Sequence, residues 1–442
     1  MAADADAWAP PTRMSYHIGL FLAVNAIEDA YAVIDGPDCN FRKSQWVHAK
    51  HDLRATLLDA SGRHRVINTL MDDEHVVTNR GEALALRLEQ LATVASRGVA
   101  LVCSMPHVMI LGTQYDKILR DLADRVPIPM IEVPSRSLEA DWLDGYAEAM
   151  LAIARTMDVR DAKPRARHVA VIGHLMDRTE EDGRADVREL RRLLEGLGLT
   201  VTSVWLDGGD YRQLLDARDA ETLIALPLGV HAARALALRT GQKVVEAPLP
   251  FGPGRTRRFL TAVARATDTL DALDPFVDDN LHRLVPRIER AVPGIFQDRR
   301  VALSAPPFFW GGMLDMAAEL GMELVHLSAN AGDAWATEDL AAEFGPLPPR
   351  RLPYRFDALG RELEALHRER PIDLAIGDTR YCQRASWIAP VMEFGFPSHF
   401  DHALHPRPTL GFEGWMCFLD RVAHALGAQR WARFPRPHHA DG

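Results

Sequence analysis

At 442 residues the chain is too long for a single hydrophobic core, and two to four domains are expected. Its 47 % apolar and 25 % charged residues are ordinary for a water-soluble globular protein, and its formal charge of −10 argues against a general nucleic-acid binder. No run reaches the ~20 apolar residues of a membrane span, and the acidic, Pro-containing start MAADADAWAPPTR lacks the pattern of a signal peptide, so a cytoplasmic protein is expected.

Along the chain, one physical unit recurs. The run "YAVIDGPDC" reads as a buried strand that breaks at Gly36 and Pro37. It is followed by "FRKSQWVHAKHDLRATLLDASGRHR", with His48, His51, Asp52 and His64. Such a loop borders a cleft, where histidine donates protons near neutral pH, or it is a hydrated connection or subunit contact. The pattern HxxHD lacks the glutamate of a zincin helix. Then "GVALVCSMPHVMILGTQYDKILRDLADRVPIPMIEVPSRS" gives strand, loop, amphipathic helix and strand. In "PSRSLEADWLDGY", Ser137 is expected to cap a helix starting near Leu138 or Glu139, with Trp142 and Tyr146 on one core-facing side. The charged stretch "RDAKPRAR" marks a boundary, so a first α/β domain is placed at 1–160.

A second unit opens with "HVAVIGHLMDR". The helix "DVRELRRLLEGLGL" puts Val187, Leu190, Leu193, Leu194 and Leu197 on one face and stops at Gly196 to Gly198. Its closing strands lie in "ETLIALPLGVHAARALALRTGQKVVEAPLPFG". Next, "PFGPGRTRRFL" offers the backbone amides of Gly252 and Gly254 before a helix, beside Arg255, Arg257 and Arg258, an arrangement that can hold an anion. It is not a Walker A sequence, and no GxGxxG follows a strand, so neither ATP hydrolysis nor a dinucleotide site is expected. Only 5 of the 51 basic residues are lysines, a bias that weakens most arginines as functional markers. A helical connection over 271–294 ends the second domain, placed at 161–290.

The third domain, at 291–442 with a C-terminal helix and tail, opens with "RVALSAPPFFW". It continues through the helix and strand of "GGMLDMAAELGMELVHL" and closes with "IDLAIGDTRYCQRASWIAPVMEFGFPSHFDHAL". The segment "FPSHFDHALHPRPTLGFEGW" carries His399, His402, His405 and Arg407 and reads as a polar cleft wall, with metal coordination as a second option. Each unit is a βαβ arrangement. The fold class is therefore α/β, with three Rossmann-like domains, each a parallel sheet flanked by helices, around a central cleft lined by strand-end loops.

Four cysteines are present, Cys39, Cys103, Cys382 and Cys417, with no CxxC pair. Cys382 and Cys417 fall in apolar helical patterns and are expected in the core. Cys39 and Cys103 fall at two strand ends of one domain and either suit a soft metal site such as an iron–sulfur cluster or are small buried apolar residues. Two thiolates do not hold a four-iron cluster; further ligands must come from Asp38, His17, His107 or another subunit.

The segments "HIGLFLAVNAIEDAYAVIDGPDC", "HVAVIGHLMD", "FGPGRTRRFL" and, most specifically, "FPSHFDHALHPRPTLGFEGW" occur in the order seen in the nitrogenase component 1 superfamily. The chain resembles this superfamily, which spans nitrogenase molybdenum–iron protein subunits, cofactor-assembly scaffolds and dark-operative protochlorophyllide and chlorophyllide reductase subunits. The resemblance implies an oxidoreductase subunit that pairs with a homologous chain, itself or a sister. It implies an iron–sulfur cluster, of the [4Fe-4S] type, at the shared interface, and an ATP-dependent iron–sulfur reductase that delivers electrons for reduction of a small molecule.

Departures from the family pattern are specific. Met14, Ser15 and Tyr16 stand where a first cluster cysteine is usual. Cys39 follows Pro37 by two residues instead of three, and Cys103 comes a few residues early. One protochlorophyllide reductase subunit contributes an aspartate to a cluster otherwise held by its partner, so the resemblance implies Asp38 with Cys39, near Gly36 and Pro37, as a reduced contribution, with Cys103 a metal ligand at or near the same iron–sulfur centre. His48, His51, His402 and His405 would line the cleft as catalytic groups, and Gly252, Gly254 and Arg255 would bind a cofactor. No second-domain cysteine matches a nitrogenase-type catalytic cofactor, which excludes dinitrogen reduction from the expected activities. The alternatives are a noncatalytic scaffold or carrier for a metallocofactor or tetrapyrrole precursor, and a plain small-molecule binding module.

Overall fold

The structure is a computed structural model that describes residues 14–71, 81–109, 111–332, 335, 339–345, 350–351 and 356–432. The apolar runs form three sheets in which every pairing is parallel. The first contains β1 (Ala30–Asp35), β2 (Val66–Asn68), β3 (Val99–Ser104) and β4 (Met130–Glu132) in the order β2-β1-β3-β4. The second contains β5 (Arg165–Ile172), β6 (Thr200–Val204), β7 (Ala220–Ala225) and β8 (Lys243–Glu246) in the order β6-β5-β7-β8. The third contains β9 (Arg300–Ser304), β10 (Glu323–Ser328), β11 (Arg350–Arg351), β12 (Leu374–Gly377) and β13 (Val391–Glu393) in the order β11-β10-β9-β12-β13. Three parallel sheets flanked by helices are thus the architecture expected from the sequence.

The winding is the same in each. From its first strand the chain builds outward on one side, then crosses back to the other, which leaves a switch point between β1 and β3, β5 and β7, and β9 and β12. Loops at the carboxyl ends of such strands diverge there and open a crevice.

Strand parity decides what each side chain meets. Ile34 and Cys103, paired in register, face one large core with the helices Tyr16–Asn25 and Trp142–Thr156; Val33 and Val102 face the opposite side, with the helices Glu82–Ala92 and Tyr115–Leu122. The large core is continuous through all three sheets, from Ile34 through Val169 to Leu303. The helices Tyr16–Asn25 and Trp142–Thr156 cross backbone to backbone: a Cβ on Gly19 would lie 1.7 Å from the Trp142 carbonyl oxygen, and one on Gly145 2.0 Å from that of Tyr16.

One local expectation is corrected. Ser137 caps no helix; the helix starts at Trp142 and Asp141 is its N-cap. The Asp141 carboxylate accepts from the Leu143 N–H while Asp144 bonds back to the Asp141 N–H, a reciprocal box that satisfies two otherwise orphaned donors. Trp142 and Tyr146 are fully buried in the core. Among the described residues, no helix is long and apolar enough to cross a membrane.

Candidate functional site

At the end of β1, buried Asp35 anchors the turn that follows. Its carboxylate accepts from the Thr69 hydroxyl at 2.9 Å and the Tyr115 hydroxyl at 2.7 Å, and Thr69 in turn accepts from the Gly36 N–H at 2.9 Å. Gly36 has no room for a side chain, since a Cβ would lie 2.5 Å from Met105 Cγ. The turn delivers Asp38 and Cys39 to the surface, where both are exposed. Cys39 is the first residue of the helix Cys39–Val47, and Asp38 sits at its N-cap position without making a capping bond, so among the described residues its carboxylate is uncommitted. Together with Arg42, His64 and Arg87 they line a concavity of about 680 Å³.

Cys103 lies on the strand next to β1 but points elsewhere. It is 2 % exposed, its thiol lies 3.7 Å from the Ser104 carbonyl, and burial pushes it up to about 12. His17 is equally enclosed: Nε2 lies 3.1 Å from the Ser104 carbonyl oxygen and burial lowers the imidazole to about 4. Lys43, one turn along from Cys39, is the cation common to Cys39, Cys103 and His17; burial lowers it while the two cysteines oppose that. The side chain of His107 lies outside the described residues. Among the described residues, no three His, Cys, Asp or Glu side chains gather around one point that could hold a metal ion. Tested against an iron–sulfur cluster, the donors that fit are therefore Asp38 and Cys39, accessible and unspent; a protonated, core-facing Cys103 does not fit.

A second centre forms where the three domains meet. The loop after β5, residues 173–180, is its hub. Asp52 of the first domain, fully buried, accepts from the Thr179 N–H at 2.7 Å, the Thr179 hydroxyl at 2.9 Å and Asn25 Nδ2 at 2.7 Å. Glu180 accepts from the N–H groups of Leu53 at 3.0 Å and Ala403 at 2.8 Å, and from His402 Nδ1 at 2.8 Å. Burial works against this carboxylate, yet those donors and Arg178 hold it below the usual range. Arg178 pairs with Asp182 and donates to the Asp401 carbonyl at 2.6 Å.

His51 is sealed within this hub. Its Nδ1 accepts from the Ser398 N–H at 2.8 Å, which assigns the ring proton to Nε2, and Nε2 faces Asp177 at 3.7 Å, beyond hydrogen-bonding distance. Burial pushes His51 well below the ordinary imidazole range and lifts Asp177 to about 7. The cavity between Asp177, Arg178, Phe396 and Arg421 holds only about 60 Å³, room for roughly two waters. That is the space left beside His51 and Asp177 among the described residues.

The four histidines do not share one site. His51 and His402 both meet the hub. His48 borders it on the first-domain loop, held below its usual value by burial, and His405 is exposed in the third domain. Gly252 and Gly254 do start a helix, Pro253–Ala266, but its first turn faces the protein's own acids: a Cβ on Gly254 would lie 3.0 Å from Asp315 Oδ2. Arg255, 2 % exposed, ion-pairs with Asp315 at 3.2 Å and Glu343 at 2.9 Å. Sequence reasoning passed over Asp177, Arg178 and Glu180. Their signal was a run of charged residues directly after the carboxyl end of a central parallel strand.

A family profile described as nitrogenase component 1 type oxidoreductase matches residues 15–427. The chain belongs to that family. It is 25 % identical over 332 residues to the nitrogenase molybdenum-iron protein beta chain of Nostoc sp., covering 68 % of this chain and 61 % of that one. It is 28 % identical over 350 residues to the B-type component of the light-independent protochlorophyllide reductase of Methylobacterium radiotolerans, covering 73 % of this chain and 62 % of that one. The chain thus spans less than two thirds of the length of either relative. The solved structure of nitrogenase Cp1 at pH 6.5 superposes with a TM-score of 0.78 over 96 % of this chain and 94 % of that chain at 15 % identity, which shows a shared fold.

Proposed function

We propose that this component 1-type chain is an electron-accepting oxidoreductase subunit. It acts in the cytoplasm, paired with a homologous chain (a second copy or a sister), and is served by a separate ATP-dependent iron–sulfur reductase. The observation that carries this reading is the exposed, uncommitted pair Asp38 and Cys39 on the wall of the concavity of about 680 Å³. In this reading the two residues are this chain's share of the ligands to an interfacial [4Fe-4S] cluster, and the partner contributes the rest. When bound, such a cluster supplies single-electron storage. This chain's own part is to present one thiolate and one carboxylate on a turn braced by Asp35, Thr69 and Tyr115. His51, buried and neutral, serves as a positioning residue for the hub, while the more accessible His402 and His405 are the ones open to proton exchange with solvent. The substrate is a small molecule.

The missing cluster cysteines favour one second reading, a noncatalytic scaffold or carrier for a metallocofactor or tetrapyrrole precursor. Handing a bound group to another protein without net reduction would identify it.

The deciding experiment is oxygen-free purification, alone and with a homologous chain encoded nearby, followed by iron and sulfide analysis and electron paramagnetic resonance after reduction. The expected result is a stoichiometric cluster in the pair that is lost in Cys39→Ala and kept in Cys103→Ala, the latter costing only about 1–2 kcal/mol of packing. Iron-free protein in both preparations would overturn the electron-accepting role.

A further inference from the structure

We propose that the third domain carries a separate binding site for an uncharged, largely apolar small molecule. A pocket of about 640 Å³ opens between the helix Thr379–Ala385, the edge strand β13, the segment around Phe400 to Arg407 and the C-terminal helix Gly411–Ala432. That volume lies in the range of small-molecule sites, ~300–1,000 Å³. It is about ten times the space at the domain junction, about 60 Å³. The expectation that Cys417 is a core residue is corrected here, because Cys417 is half-buried and lines this pocket.

The lining is apolar where it matters. Val391, Met392 and Phe400 contribute carbon surface, and Cys382 and Cys417 add two polarisable thiols. The Cys382 thiol already donates toward the Gly377 and Met392 carbonyls at 3.3 and 3.4 Å. Both thiols are pushed up by burial, so the sulfurs are uncharged near neutral pH.

The pocket is lined by both signs of charge, Glu393, Asp401 and Asp420 against Arg407 and Arg421, with His405 and His424 exposed beside them. Glu393 accepts from the hydroxyls of Thr379 and Ser398, both at 2.7 Å, and from the N–H groups of Phe400 at 2.9 Å and Asp401 at 3.1 Å. Asp401 is clamped between Arg407, at 2.9 Å, and Arg421. His424 pairs with Asp420 at 3.4 Å on the exposed face of the C-terminal helix. With the two signs nearly balanced, an ion entering here gains little net counter-charge to offset its lost hydration, a loss that costs several kcal/mol. A neutral molecule pays no such penalty, and the exposed side chains of Gln383 and Ser386 at the mouth offer it hydrogen bonds. Phe400, 77 % exposed, leaves aromatic surface at the rim for a ligand to cover. No residue of this pocket belongs to the Asp38–Cys39 turn; it shares His405 with the proposed proton-exchange groups, and the binding test below reads the pocket without reference to a cluster.

The test is a titration of the full chain with phenylnaphthylamine, a neutral probe that fluoresces in apolar surroundings. We expect saturable binding of one probe per chain, weakened at least about tenfold by Cys417→Trp, which fills the pocket, in protein whose melting temperature is retained. In the unaltered chain, bound probe should slow alkylation of Cys417 while leaving exposed Cys39 unprotected, read by peptide mass spectrometry; this arm needs no variant to fold. The anionic analogue anilinonaphthalene sulfonate should bind at least about tenfold more weakly. Non-saturable binding, or saturable binding that neither protects Cys417 nor responds to Cys417→Trp, would overturn the site. Equal binding of the sulfonate would overturn its preference for a neutral ligand.

Discussion

Cys39 and Cys103 have the same side chain and opposite surroundings, and their chemistry should separate accordingly. In the native chain a thiol reagent should modify Cys39 first and Cys417 more slowly, while Cys103 and Cys382 react only on unfolding; timed labelling with and without denaturant checks this. His174 offers a pH test. Its imidazole is buried beside Phe308, Phe309 and Leu228, and burial lowers it to about 4. The folded-state value lies below the unfolded ~6.5, so the unfolded chain binds the extra proton; the stability tied to this residue is present above ~6.5 and is lost as pH falls toward 4. His174→Leu should therefore flatten the drop in unfolding free energy between about pH 7 and about pH 5 by roughly 2 kcal/mol, measured by urea melts. At this scale the sequence was readable where a motif forces exposure, as Gly36 and Pro37 do for Cys39. It was not readable for Cys103, because one step of strand register decides whether a side chain faces a loop or the core.

The strands and most helices were legible as elements, since apolar runs broken by Gly or Pro and a 3.6-residue period are local signals. Contacts between elements were not. Nothing in the spacing of Gly19 and Gly145 announces that two helices use them to bring their backbones together, and the cap lies at Asp141, not Ser137, where Asp144, three residues into the helix, completes a reciprocal box. Gly145→Ala should push the helices Tyr16–Asn25 and Trp142–Thr156 apart. The expected loss is about 1–3 kcal/mol or more, because the obstructing atoms are backbone and cannot swing away, and a thermal or urea melt reads it directly.

For the whole molecule, three domains were foreseen but their fusion was not. A single apolar core runs through all three sheets, and the loop at 173–180 is bonded to both neighbouring domains. Asp52→Ala and Thr179→Ala should each destabilise the chain, the former by about 3 kcal/mol or more because it strands several buried donors. A double-mutant cycle should show a coupling of about 0.5–3 kcal/mol. For the same reason calorimetry should give one transition whose calorimetric and van't Hoff enthalpies agree, and resolved domain melting would contradict the shared core.

The loop at 173–180 also makes one stretch of chain answerable for two contacts. A proteolytic cut within it would release its bonds to Asp52 of the first domain and to Asp401 and Ala403 of the third at once.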